Sequence, residues 1–125
     1  MDALCELWSP IPRAPAYEVS TLGQVRRAGV LVASWANAKG YRLVNLEVPD
    51  LTFPRAVYVH ELVLEAFRGR RPVGHQADHS NGERGDNRLT NLEWVTPAEN
   101  VRRARARQHA SLEGLGQLRL FERAA

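Results

Sequence analysis

Cysteine is nearly missing from this chain. Its 125 residues include one, Cys5, which excludes an internal disulfide and any Cys-rich zinc site and points to a reducing, intracellular setting. Lysine is as scarce: Lys39 is the only one among 17 basic residues, so arginine carries nearly all the positive charge. No apolar run approaches the roughly 18 residues of a membrane span. The opening "MDALCELWSP", with Asp2 and Glu6, lacks the basic start and apolar stretch of a signal peptide. These absences set the expectation of a cytoplasmic protein with no membrane partner. Large aromatics are few, which assigns Trp8, Trp35 and Trp94 to the core.

What is present suits one small domain, with or without a small appendage: 14.0 kDa and 44% apolar residues allow a modest core. The net charge is +3 and the pI about 9.6, but the distribution says more than the total. Arg68, Arg70 and Arg71 precede a polar segment over 77–101, and Arg102, Arg103, Arg105 and Arg107 follow it. Arginine grips phosphate bidentately. Four arginines in six residues repel one another unless an anion neutralises them, so both clusters are expected to contact a nucleic-acid backbone.

The first half reads as short strands and turns. "YEVSTLGQVRR" gives a hairpin that turns at Thr21-Leu22-Gly23, while "LVASW" and "YRLVNLEV" read as two more strands parted by "ANAKG". "DLTFP" is a loop and "AVYV" a short strand. "HELVLEAF", residues 60–67, then switches to helical period, with Leu62, Val63, Ala66 and Phe67 on one stripe. His60, at its start, is expected to cap or pack. The tail after Gln108 carries five large apolar residues and two glycines; it either docks on the body or forms a contact surface.

The chemistry concentrates in "ADHSNGERGDNRLTNLEWVTPAENV", residues 77–101. Thr96 as N-cap, Pro97 at the first helical position and Glu99 as the return arm of a capping box start a helix at about Pro97. "LEWV" before it is a strand, and "HQADH" upstream is its partner. Between them "SNGERGDNRLTN" is a structured polar loop. Strand, loop, strand and first helical turn can bring Asp78, His79 and Asn100 to one point. The Asp78 carboxylate and the Asn100 carbonyl suit a hard cation such as Mg²⁺, which keeps waters and accepts phosphate oxygens. An imidazole can take a proton from an attacking water. His75 either touches phosphate or is a loop histidine without a role, His109 receives no role, and Glu93 and Asp86 are solvated or paired with arginine.

"DHSNGERGDNRLTNLEWVTPAEN" resembles the HNH motif of the ββα-metal nucleases, in the variant whose third letter is Asn. The resemblance implies His79 as general base, Asn91 as the residue that ties the loop, Asn100 and Asp78 as metal ligands, and Asn87 as a further loop residue. Trp8, "IPRAPAYEVSTLGQVRR" and "VHELVLEAF" are similar to the module that precedes HNH in phage homing and free-standing endonucleases. The sequence departs from the pattern with "IPR" for "IPG", "HEL" where a basic residue is usual, and Ser80-Asn81-Gly82 in the loop. It also stops soon after the HNH helix, without room for a groove-reading helix-turn-helix.

The expectation is therefore an α+β chain. An N-terminal antiparallel sheet with one helix (1–74) joins a ββα-metal unit (75–108), and a tail follows (109–125). The implied function is a Mg²⁺- or Mn²⁺-dependent endonuclease on double-stranded DNA, of phage or mobile-element origin. It would act as monomer or homodimer and nick one strand per site with low sequence specificity. The alternatives are a catalytically silent DNA-binding protein, a nuclease acting on RNA, and a subunit needing a partner such as phage packaging machinery.

Overall fold

The computed structural model describes residues 5–47 and 55–109. The expected loop "DLTFP" and the tail beyond His109 both lie wholly outside the described residues. The architecture is α+β, as expected, with three small antiparallel sheets and two α-helices among the described residues. The first sheet has the order β1 (Trp8–Ile11), β2 (Ala14–Ser20), β3 (Val25–Arg27) and β4 (Val30–Leu31). The second joins β5 (Trp35–Ala36), β6 (Arg42–Leu46) and β7 (Arg55–Tyr58); the third pairs β8 (Gln76–His79) with β9 (Leu92–Val95). Helix α1 spans Val59–Arg68, and α2 occupies 97–109.

The β2–β3 hairpin forms where its turn residues put it, with Val19 opposite Val25. Ser20 is fully buried, and its hydroxyl accepts the backbone N–H groups of Leu22 and Gln24 at 3.2 and 3.1 Å. Gly23 completes the turn at φ +86°, a left-handed conformation that L side chains resist. "LVASW" is not one strand. Val30–Leu31 closes the first sheet and Trp35–Ala36 opens the second, with the chain crossing between them at Ala33-Ser34. Arg42 fixes that crossing by donating to the Ser34 carbonyl at 2.8 Å and to its hydroxyl at 2.7 Å. The strand read from "YRLVNLEV" covers only Arg42–Leu46, and the sequence reading missed β1 altogether.

Helix α1 is buried on more than the single stripe its periodicity suggested. Leu62, Val63 and Leu64 are all fully buried, while Ala66 and Phe67 are partly so. The helix touches β1 and β2 on one side, β6 and β7 on another, and β8, β9 and the 3₁₀ turn Leu89–Asn91 beyond. A helix packed between three sheets needs apolar residues around most of its circumference. One core thus runs from Ile11 and Val19 through Val44 and Leu46 to Leu92 of β9. At roughly 1.5–3 kcal/mol for each fully buried Val, Leu or Ile, it is the main force holding the third sheet against α1.

Two of the three tryptophans depart from expectation. Trp35 is 40% exposed, because β5 lies at the edge of its sheet. Trp8 is half-buried under the Arg26 guanidinium, 3.9 Å from the ring centroid. Trp94 packs on the core, and its Nε1–H donates to the Gly69 carbonyl at 3.0 Å. That bond ties the Arg68–Arg71 stretch to β9.

Candidate nuclease site

β8 and β9 run antiparallel with His79 opposite Leu92 and Asp78 opposite Glu93. The loop between them is held from inside by Asn91. Its side-chain oxygen accepts the Asn81 N–H at 3.0 Å, and its amide donates to the Asn81 side chain at 3.0 Å and to the Asp86 carbonyl at 2.9 Å. Its own carbonyl accepts from Ser80 N–H at 2.8 Å. Every polar group of this buried residue thus goes into closing the loop. Asp86 adds a second clasp to Arg88 and Asn81, and the Arg88 guanidinium holds its carboxyl down at about 2.

His79 is 6% exposed, and its Nε2 lies 2.9 Å from Oδ1 of the buried Asn87. An amide oxygen only accepts, so the proton of a neutral His79 sits on Nε2 and the lone pair on Nδ1. Asn87 is in turn shaped by the N-terminal hairpin. A Cβ on Gly23 would lie 2.8 Å from Asn87 Cβ, and Leu89 N–H donates to the Thr21 carbonyl at 2.8 Å.

Asp78 is 4% exposed and faces α2, where Arg103 Nη1 stands 3.2 Å and Arg107 Nη2 3.6 Å from its oxygens. Burying a carboxylate is costly without such partners. Arg107 also donates to the carbonyls of His79 and Ser80, each at 3.4 Å. Asn100 lies in the first turn of α2, with Arg103 and Arg107 at i+3 and i+7, and all three are half-buried. The same helix face that meets Asp78 therefore carries Asn100. Among the described residues no three His, Cys, Asp or Glu side chains gather as a metal nest. What is offered is one carboxylate and one amide oxygen. That donor set fits a hard cation completing its shell with water and phosphate oxygens, and not zinc or copper.

The start of α2 follows the sequence in part. Thr96 Oγ1 accepts the Glu99 N–H at 3.2 Å, the first half of a capping box. The Glu99 carboxylate does not turn back; it pairs with Arg102 and Arg103, which lower its pKa. Part of the repulsion expected within the arginine run is thus relieved by acids of the chain itself. Arg103 joins Glu99, Asp78 and Glu93, the last at 2.8 Å, and Glu93 and then Asp78 raise its pKa. Arg102 and Arg105 are exposed on α2, and Arg105 has no acid partner among the described residues. Arg68, Arg70 and Arg71 are exposed.

The sequence reading passed over one neighbour of the site. His60 does not cap α1, which has no side-chain cap; it packs, and it packs against His79, ring centroids 5.0 Å apart. Its Nδ1 is buried without a hydrogen-bond partner, and burial first, then His79, pushes its pKa down to about 4. Tyr41 joins the same cluster, 6.0 Å from His79. Arg84 of the loop lies over the Tyr41 ring at 5.1 Å and donates to the Lys39 carbonyl at 3.0 Å.

Comparison with known proteins agrees with this geometry. The sequence pattern of the HNH endonuclease family matches residues 57–102. An uncharacterised HNH endonuclease of Acanthamoeba polyphaga mimivirus is 36% identical over 104 residues, which is 79% of this chain and 26% of the viral protein. The chain thus spans about a quarter of that relative's length. The solved structure of the HNH homing endonuclease I-HmuI, described for its DNA binding and cleavage, superposes with a TM-score of 0.72 at 26% identity. The match covers 90% of this chain and 67% of that one. A matched pattern that takes in α1 and the β8–loop–β9 unit, and a shared fold over nearly the whole chain, agree: the chain is similar in sequence and in fold to HNH endonucleases.

Proposed function

We propose that the chain is a divalent-metal-dependent DNA endonuclease that hydrolyses one phosphodiester bond per site, with low sequence specificity. The observation that carries the reading is the His79–Asn87 bond, which leaves Nδ1 of the buried His79 unprotonated, one residue along β8 from the buried Asp78. The likeness to an endonuclease whose subject is DNA binding and cleavage supports DNA as the substrate.

In this reading His79 Nδ1 takes a proton from the attacking water as its oxygen bonds to phosphorus, and the bond from phosphorus to the leaving oxygen breaks. Asn87 stabilises the imidazolium that forms by accepting its Nε2–H. Asn91 keeps the loop closed around this pair. Asp78 and Asn100 would hold Mg²⁺ or Mn²⁺, whose charge offsets that building on the phosphate and leaving oxygens. Arg102, Arg105 and the Arg68–Arg71 cluster would hold the backbone. Arg103 and Arg107, engaged with Asp78, act first as its counter-charges.

The test is cleavage of supercoiled plasmid with Mg²⁺ or Mn²⁺ by the wild type and His79→Ala. Metal-dependent open circles are expected, with a rate about 10²–10⁴-fold lower in the variant. Linear product appearing together with open circles would point to a homodimer. Equal cutting by both proteins, or none with DNA still retained on a gel, would refute the reading.

A further inference from the structure

His60 has no part in the chemistry above, yet it forms one wall of it. The residue is 7% exposed in the first turn of α1, beside Val59 and Leu62, both in the core. The backbone beneath it is therefore fixed by packing. Its ring meets the His79 ring edge to face, with 68° between their planes. Tyr41 and Tyr58 stand against its other sides at 5.4 and 5.2 Å. Nδ1 is sealed from solvent with no partner, so a proton there would be neither hydrated nor paired, and the ring is held uncharged.

A single hydrogen bond holds an imidazole only while the ring keeps the plane that presents Nε2–H to its acceptor. The His79 side chain bonds to Asn87; what restrains its plane is contact with the rings of His60 and Tyr41. Resting on the reading of His79 as the base, we infer that His60 is a positioning residue. Its flat, buried ring holds the His79 imidazole in the plane that aims Nδ1 at the attacking water. An uncharged wall suits this task, because it does not repel the proton that His79 receives.

The experiment compares the full-length wild type, His60→Ala, His60→Phe and His79→Ala. It reads single-turnover plasmid cleavage with Mn²⁺, DNA affinity, and the imidazole nitrogen signals of His79 in the DNA-free protein. For His60→Ala the rate is expected to fall about 10–100-fold, the loss typical of a misplaced reacting group. DNA affinity should stay within about threefold, and the single Nε2–H tautomer of His79 should give way to an averaged one. His60→Phe keeps a flat, uncharged ring and should stay within about threefold of wild type, with the tautomer unchanged. Wild-type rate and tautomer in His60→Ala would overturn the inference, as would a fall in His60→Phe equal to that in His60→Ala. If His60→Ala does not fold, an averaged His79 tautomer in the wild type overturns it as well. Undiminished cleavage by His79→Ala would instead remove the base reading itself, whatever the His60 variants do.

Discussion

Acid should weaken this fold through His60. The unfolded chain protonates that imidazole from about pH 6.5 downward, whereas the folded chain resists until about pH 4, because burial and the adjoining His79 oppose the charge. The unfolded state therefore binds more protons across this window, so stability is whole above about 6.5 and is lost as pH falls toward 4. With these two values the linkage relation gives a loss of about 2 kcal/mol between pH 7 and pH 5, and about 3 kcal/mol at completion. That is a large share of the ~5–15 kcal/mol a small domain has. Urea unfolding followed by tryptophan fluorescence at pH 7, 6 and 5 measures it directly. Run beside His60→Phe, the wild type should show a slope of stability against pH steeper by up to about 1.4 kcal/mol per unit. Any shift of the whole curve by the packing of phenylalanine is an offset that does not vary with pH. Parallel curves for the two proteins would refute the reasoning.

Gly23→Ala should destabilise by about 2 kcal/mol from its positive φ alone, and the added Cβ, 2.8 Å from Asn87 Cβ, should slow cleavage too; a denaturation midpoint and a rate on one preparation check both. Asn87→Ala removes the acceptor of His79 Nε2, so cleavage should fall about 10–100-fold with DNA retention on a gel unchanged. Replacing Arg102 or Arg105 by alanine should flatten the salt dependence of DNA affinity by about one phosphate contact each. Arg103→Ala should instead cost about 1–3 kcal/mol of stability by stripping a counter-charge from buried Asp78; a salt slope lowered as much as in Arg102→Ala would contradict that division of roles.

Much of the candidate site was legible because its signals are local. Thr96 and Pro97 announce a helix start within a few residues, and a loop rich in Asn, Gly and Asp between two short apolar runs announces a closed turn. What stayed hidden depends on distance in sequence. The acids that neutralise Arg103 and Arg107 come from β8 and β9 as well as from α2 itself, so a scan of the run alone sees unrelieved repulsion. His60 stands 19 positions before His79 in the chain and fits a helical stripe, which reads as ordinary packing until the two rings are seen together. The break in "LVASW" is invisible to pattern because Ala33 and Ser34 suit a strand; only the hold of Arg42 on Ser34 shows where one sheet ends. Arg88 and Asp86, by contrast, pair as neighbours, as their spacing suggests.

The hairpin turn pressed against Asn87 bears on how such a chain can be recombined. A breakpoint near Gly74 looks convenient, lying in an exposed Gly- and Pro-containing stretch between α1 and β8. Yet an exchange there would join a turn from one parent to a loop from another across a gap with no room for a methyl group. Compatible parents are those whose residues at positions 23 and 87 were selected together, and chimaeras should be sorted by that pair rather than by the similarity of their linkers.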